Sequence, residues 1–421
     1  MEGTHILLLN FVAYALLAFY LLKAKKSRLS IFVSLIWGVS AAFSLLFFNI
    51  SDSVWEYRTY TNLTIQPFIY IFICILLYII PLTRIEDRSP IIIEADYTLL
   101  TVFSWIIIII SIAPFIANLV YAITHMGVSL SSFADNRGEE VDIFVGPLAT
   151  LNRFSKYGRT FAPILLFYFL QRPRPNKLLI IGLICSFFNP SLGNLNVGSR
   201  FLFAADILYL LAIYFVFSHS LDKSLKKKIN LLGTIFLSFF FVIFLSISFF
   251  RFTTLGSATA AMDATQYFGL YAGEGMLNFS SNMWGTTART GGANTLTFID
   301  YIFGDNPSSV RDVDKVSAAG GLPLYIFYTV VGDFYIDFGP YVTFAIFFAI
   351  FIILRLLLRK KKTNYSFYTM VLISLFIRVI VIGFTYFPYM NLSMELVYVP
   401  ILTIVLWFFD RGSHSTRKAD V

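Results

Sequence analysis

Three arginines stand where an apolar chain holds a charge only at a free-energy cost. Arg200 follows the loop NPSLGNLNVG and opens FLFAADILYLL, Arg251 closes the run ending SISFF, and Arg378 lies inside LFIRVIVIGF. Charges at membrane depth or at a span edge are functional candidates for that reason. A guanidinium stays ionised and grips phosphate through two parallel hydrogen bonds, which suits a diphosphate head group. Gly198 and Ser199 precede Arg200, so backbone amides can approach an anion there. The plainer alternatives are an arginine that snorkels to lipid phosphates at a span end, and for Arg378 a structural pair with an internal carboxylate such as Asp206.

Carboxylates supply the matching proton chemistry. Asp333 and Asp337 flank Tyr335 in GDFYIDFG, and Glu274 sits between Gly273 and Gly275 in an aromatic stretch. These three are the candidate acids or bases. Arg289, Asp300, Asp305, Arg311, Asp312, Asp314 and Lys315 share the same polar segment, where most such charges are simply solvated. Several chemistries have no support. The chain has no H-E-x-x-H, no P-loop and no G-x-S-x-G, and only four histidines. Cys74 and Cys185 lie inside apolar runs, which speaks against a disulfide, a zinc site or a thiol nucleophile. No metal or cofactor is expected.

The elements that must position these residues are membrane helices. Of 421 residues, 57% are hydrophobic and 13% charged, against about 25% charged in soluble domains. The mean hydropathy is +0.75. Apolar runs fall near residues 5–22, 30–50, 64–82, 98–122, 158–171, 178–193, 201–218, 230–250, 340–358, 365–386 and 394–409. The first lacks a basic n-region and a cleavage site, and reads as an uncleaved span. The expectation is an all-α polytopic membrane protein with about 11 transmembrane helices. Its net charge of +8 does not imply nucleic acid, because many basic residues cluster in short linkers. KAKKSR, TRIEDR, RPRPNK, DKSLKKK, RKKK and the tail all fall on one side, with the N-terminus outside and the C-terminus cytoplasmic.

Two long segments then face outward, about 123–156 and about 252–337. Within the second, LPLYIFYTVV at 322–331 is too short to cross and reads as a re-entrant or interfacial helix. QYFGLYAGEGMLNF (266–279) and TLTFIDYIF (295–303) read as helices on the membrane surface or capping a cavity. Gly332, Gly339 and Pro340 mark a turn into the next span. The expected organisation is an N-terminal transmembrane bundle (1–251), an outward, periplasmic loop (252–339), and C-terminal transmembrane helices with a cytoplasmic tail (340–421). There is no internal repeat.

With NVGSRF at 196–201, an arginine ending the next span, a long outward loop and VVGDFYIDFGPYVTF at 330–344, the chain resembles the O-antigen polymerase family over most of its length. The resemblance implies a GT-C-like integral-membrane glycosyltransferase in a bacterial cytoplasmic membrane. Such an enzyme transfers a growing glycan from an undecaprenyl-diphosphate carrier onto an incoming carrier-linked repeat unit, building O-antigen, capsule or exopolysaccharide. It needs no nucleotide sugar, and works beside a flippase and a chain-length co-polymerase. By position, Arg200 and Arg251 would hold the donor diphosphate, with help from Arg289, Arg311 and Lys315. Arg378, mid-span, would face a bundle interior or a water-filled cavity and is a further substrate-binding candidate. Asp333 or Glu274 would take the acceptor proton, with Asp337 a further catalytic candidate. Tyr267, Tyr271, Trp284, Tyr301, Tyr325 and Tyr335 could stack on sugar rings. The alternatives are a lipid-linked oligosaccharide flippase or polysaccharide transporter, and a related ligase. The loop 252–337 holds no histidine, which favours polymerase over ligase.

Overall fold

A computed structural model describes residues 3–50, 60, 63–85, 90–125, 144–196, 201–254, 269, 271–303, 327–358, 363–390 and 394–419. Long helices coincide with all eleven apolar runs: α1 (Gly3–Lys23), α2 (Arg28–Ile50), α3 (Ile65–Leu82), α4 (Tyr97–His125), α5 (Pro147–Leu170), α6 (Lys177–Asn196), α7 (Phe201–Phe217), α8 (Lys223–Thr254), then, beyond the short α9 (Thr297–Phe303), α10 (Thr329–Leu357), α11 (Phe367–Ile382) and α12 (Glu395–Ala419). Six of them, α1, α2, α3, α4, α6 and α10, are long and apolar enough to cross a membrane, and α7 and α11 are shorter apolar helices. The chain is an all-α, multi-pass membrane protein. Its only β-structure among the described residues is a pair of three-residue parallel strands, β1 (Ile92–Glu94) and β2 (Asn364–Ser366).

The helix surfaces carry the membrane signature directly. In α4 the buried side presents Ser104, Ser111 and Asn118, spaced seven apart on one stripe, while Ile109, Ile116, Val120 and Ile123 are exposed. In water that pattern would be inverted. α1 buries Leu7, Asn10, Tyr14, Ala18 and Leu21 at helical spacing and exposes Leu16, Phe19 and Tyr20. Backbone amides in hydrocarbon must be satisfied within the chain, so apolar-outside helices are the form such segments take.

Two compact units are assembled from non-consecutive pieces of chain. One comprises 1–87, 265–362 and 376–397, the other 88–264, 363–375 and 398–421. In the first, α1 packs along α2 and α10 packs on α3. Close approach is set by glycine: a Cβ on Gly273 would lie 2.4 Å from the backbone of Phe43 and Ser44 in α2. Ser44 Oγ donates to Gly273 O at 2.6 Å across that contact. In the second unit, α4, α5 and α6 pack on one another, with α7 against α6. There Gln171 Nε2 and Ser220 Oγ donate to Ile91 O at 2.8 and 2.6 Å, tying β1 to the ends of α5 and α7.

Several expectations shift. The GDFYIDFG stretch forms the opening turns of α10, with Gly332 helical and buried beneath Phe279 and Met283, and the turn into the following span falls at Gly339–Pro340 alone. Of LPLYIFYTVV, 322–326 lies outside the described residues and Thr329–Val331 begins α10. The helical run 271–278, continued by a π-helical turn (Phe279–Met283), is packed inside its unit rather than laid on a surface. The run near 158–171 belongs to a 24-residue helix, Pro147–Leu170, whose polar Ser155, Arg159 and Thr160 are buried.

Candidate functional site

The site grows from one interruption. α10 contains Gly339 at φ 75°, ψ −178°, followed by Pro340. Only glycine adopts that φ without strain, and proline has no N–H to offer Ile336 O four residues back. The break orphans carbonyls within an apolar helix, and they must find other donors. They find them in the segment 285–296. Thr290 N–H donates to Ile336 O and Gly291 N–H to Asp337 O, both at 3.2 Å. On the far side of the break, Tyr70 Oη donates to Pro340 O at 2.6 Å.

The same segment wraps the Asp337 carboxylate. Oδ1 accepts from Thr290 Oγ1 and, at 3.0 Å, from Asn294 N–H. Oδ2 accepts from Thr295 N–H at 2.8 Å and Thr295 Oγ1 at 2.5 Å. TGGANT can fold this tightly because Gly291 and Gly292 take φ of 63° and 104°. Asp337 makes no ion pair among the described residues; four neutral donors hold it.

One helical turn earlier, Asp333 is 2% exposed. Its Oδ1 accepts from Asn294 Nδ2 at 3.2 Å and its Oδ2 from Phe387 N–H at 2.5 Å. Between the two carboxylates in sequence, Tyr335 stacks on Trp284 with centroids 5.6 Å apart and meets Phe279 and Tyr70 edge-on. Its hydroxyl accepts Gly285 N–H at 3.1 Å. Over the Tyr335 ring, 5.2 Å from its centroid, lies the exposed guanidinium of Arg289. Nη1 donates to Thr286 O and Ala288 O at 2.7 and 2.5 Å, which fixes the side chain. Nε rests against Gly339, where a Cβ would come within 2.6 Å. Gly339 is thus required twice, by its φ and by Arg289.

α10 also begins under constraint. Thr329 has φ 68°, a left-handed conformation that costs a β-branched residue on the order of 1–3 kcal/mol. It is held there because Thr329 N–H donates to Thr385 O at 2.8 Å and Val330 N–H to Gly383 O at 2.7 Å. These bonds cap the helix N-terminus with the chain that follows α11.

No protein-family model, curated protein or solved structure matches this chain.

The structure therefore gathers Arg289, Tyr335, Asp333 and Asp337 at the break. Glu274 is 1% exposed in the run 271–278, whose flanking glycines serve close packing: Gly273 on α2, and Gly275 with a Cβ position 2.8 Å from Phe384 O. Tyr271 is half-buried and packs on Phe327 at 5.4 Å. Tyr301 is exposed on α9. Arg200, Tyr267, Asp305, Arg311, Asp312, Asp314, Lys315 and Tyr325 lie outside the described residues, as do the side chains of Arg251 and Asp300.

Arg378 is 1% exposed and pairs with Glu395 at 2.7 Å, its guanidinium 5.2 Å from the Tyr389 ring centroid. The alternative partner Asp206 is engaged elsewhere. It takes Arg159, whose Nε donates to Oδ1 at 2.7 Å, and Ser191 Oγ on Oδ2. Around it runs an amide ladder: Asn196 Nδ2 to Asn118 Oδ1 at 3.2 Å, Asn118 Nδ2 to Asn189 Oδ1 at 3.0 Å, and Asn189 Nδ2 to Ser155 Oγ at 2.7 Å. Sequence reasoning missed Arg159, Glu395, Asn294 and this ladder. Arg159 was legible as a charge inside GRTFAPILLFYFL, but the amides carry no charge to draw notice. Among the described residues no group of three or more His, Cys, Asp or Glu could hold a metal ion.

Proposed function

We propose that this chain is a membrane glycosyltransferase that polymerises polyprenyl-diphosphate-linked oligosaccharide repeat units at the outer face of a bacterial cytoplasmic membrane. The observation that carries the reading is the break in α10, where an exposed arginine lies over a stacked aromatic pair and the next residue, Thr290, holds the buried Asp337 carboxylate. An anionic leaving group, a sugar ring and a hydroxyl proton are the three things such a transfer must manage.

In this reading the acceptor hydroxyl oxygen attacks the anomeric carbon of the carrier-bound glycan. The C–O bond to the diphosphate breaks, and the pair of electrons leaves with the diphosphate. Asp333 takes the hydroxyl proton, a role worth roughly 10²- to 10⁴-fold for a positioned base. Arg289, with Arg200 and Arg251, neutralises charge on the departing diphosphate. Trp284, half-exposed where it backs onto the buried Tyr335, supplies the stacking face for the sugar. Eleven crossings, a periplasmic loop around 252–339, a GT-C-like architecture and an outside N-terminus complete the proposal. Its partners are membrane lipid, a flippase that delivers repeat units and a chain-length co-polymerase.

A transport reading draws on the same break, since discontinuous helices also build solute sites in secondary transporters. Reconstitution with lipid-linked repeat units alone separates the two. The expected result is a ladder of polymer without nucleotide sugar or ATP, lost in Asp333→Asn, Arg289→Ala, Arg200→Ala and Arg251→Ala while single repeats persist. Normal long chains from the Asp333 and Arg289 variants would remove the site assignment. Passage of repeat units across the bilayer without new glycosidic bonds would make the chain a transporter.

A further inference from the structure

Asn294 belongs to no motif, yet it touches both carboxylates of α10. Its backbone N–H donates to Asp337 Oδ1 at 3.0 Å. Its side-chain Nδ2 donates to Asp333 O and to Asp333 Oδ1, both at 3.2 Å. It is fully buried. We propose that Asn294 is a positioning residue for Asp333: the Asp337 clamp fixes the Asn294 backbone, and the Asn294 amide then fixes which way the Asp333 carboxylate presents its lone pairs. The inference rests on the proposed glycosyl transfer with Asp333 as base.

The division of labour inside Asn294 makes this testable. Because the clamp uses the backbone N–H, a side-chain substitution keeps that bond to Asp337 and removes the amide's bonds to Asp333. The φ of Asn294 is not in the left-handed region, so alanine is tolerated there. Phe387 N–H holds one oxygen of Asp333 and Asn294 the other, so truncating Asn294 removes a hold on Oδ1 that sets the carboxylate's orientation. Misplacement of a catalytic group by an ångström or so lowers turnover by up to about 100-fold.

The experiment is a double-mutant cycle on the full-length protein in vesicles, with polyprenyl-diphosphate-linked repeat units extracted from host cells lacking this chain as substrate. Asn294→Ala should lower kcat roughly 10- to 100-fold, with KM unchanged. Asn294→Asp, the same shape with acceptors facing an acceptor, should fall lower still, the reverse of what a packing role predicts. In an Asp333→Asn background Asn294→Ala should add no further loss, because coupled residues are non-additive. A full further loss there, a change confined to KM, or Asn294→Asp outperforming Asn294→Ala would overturn the positioning role. Asp333→Asn at the wild-type rate would instead remove the base reading, and the role of Asn294 with it.

Discussion

Four of the buried carboxylates among the described residues are held in two different ways. Asp206 and Glu395 face guanidinium groups, Arg159 and Arg378, with both members of each pair no more than 1% exposed. Asp337 is held by hydroxyls and backbone amides, and Asp333 takes an amide from Asn294 and another from the main chain of Phe387. An arginine cancels the charge of its partner and needs only proximity. Neutral donors leave the charge in place and hold it by geometry. The first arrangement joins helices; the second keeps an anion usable next to a break in a helix, which is where chemistry has been proposed.

The largest effect expected from this contrast lies at the ion pairs. Arg159→Met strips Asp206 of its cation, and an uncompensated buried charge costs about 3–5 kcal/mol. Thermal unfolding in detergent should show that loss. The double variant Arg159→Met/Asp206→Leu should recover most of it, because an apolar pair of similar volume replaces a buried ion pair at little net change. If the double variant is as unstable as the single one, the pair contributes specific geometry beyond charge cancellation and the contrast breaks.

How much of this was legible in the sequence follows from the same distinction. Charges in apolar runs stand out, so Arg378 was placed inside the bundle correctly, while its partner was not. Glu395 sits at the opening turn of α12, a span edge where a carboxylate looks solvated. The helices themselves were legible because hydropathy is summed over some 20 residues. What was not legible is the role of GDFYIDFG. Gly332 and Gly339 look alike in sequence, but one lies in helix against Phe279 and the other breaks the helix beside Arg289. That difference is set by residues 279–296, nearly fifty positions upstream. The Asn118–Asn189–Asn196 ladder was equally hidden, since an amide's bond partners depend on register between helices.

A middle-sized effect belongs to Asp337. Asp337→Asn keeps the shape but offers an amine where Thr295 N–H and Oγ1 need an acceptor, leaving buried donors unmet at about 1–3 kcal/mol. The loop, not the fold, should register it. Arg289 is followed by Thr290, the first residue of the cage, so trypsin cleavage after Arg289 should accelerate in Asp337→Asn. In Arg159→Met/Asp206→Leu the same cut should keep its wild-type rate. Equal acceleration in both would mean that the two kinds of carboxylate are not energetically separate.

The smallest effect tests whether the cage is held bond by bond. Thr295→Val removes the hydroxyl that donates to Asp337 Oδ2 at 2.5 Å and leaves the backbone N–H on the same oxygen at 2.8 Å. The side-chain volume is nearly kept, so packing is not the variable. One neutral hydrogen bond is worth about 1 kcal/mol, which is roughly a fivefold change in an opening equilibrium. Cleavage after Arg289 should therefore quicken about fivefold, with global unfolding almost unmoved. A much larger response would show that the four donors act cooperatively, so that losing one releases the rest. No response would place the hold in the backbone bonds from Thr290 and Gly291 to the orphaned carbonyls, making the break itself, rather than the carboxylate, the anchor of the loop.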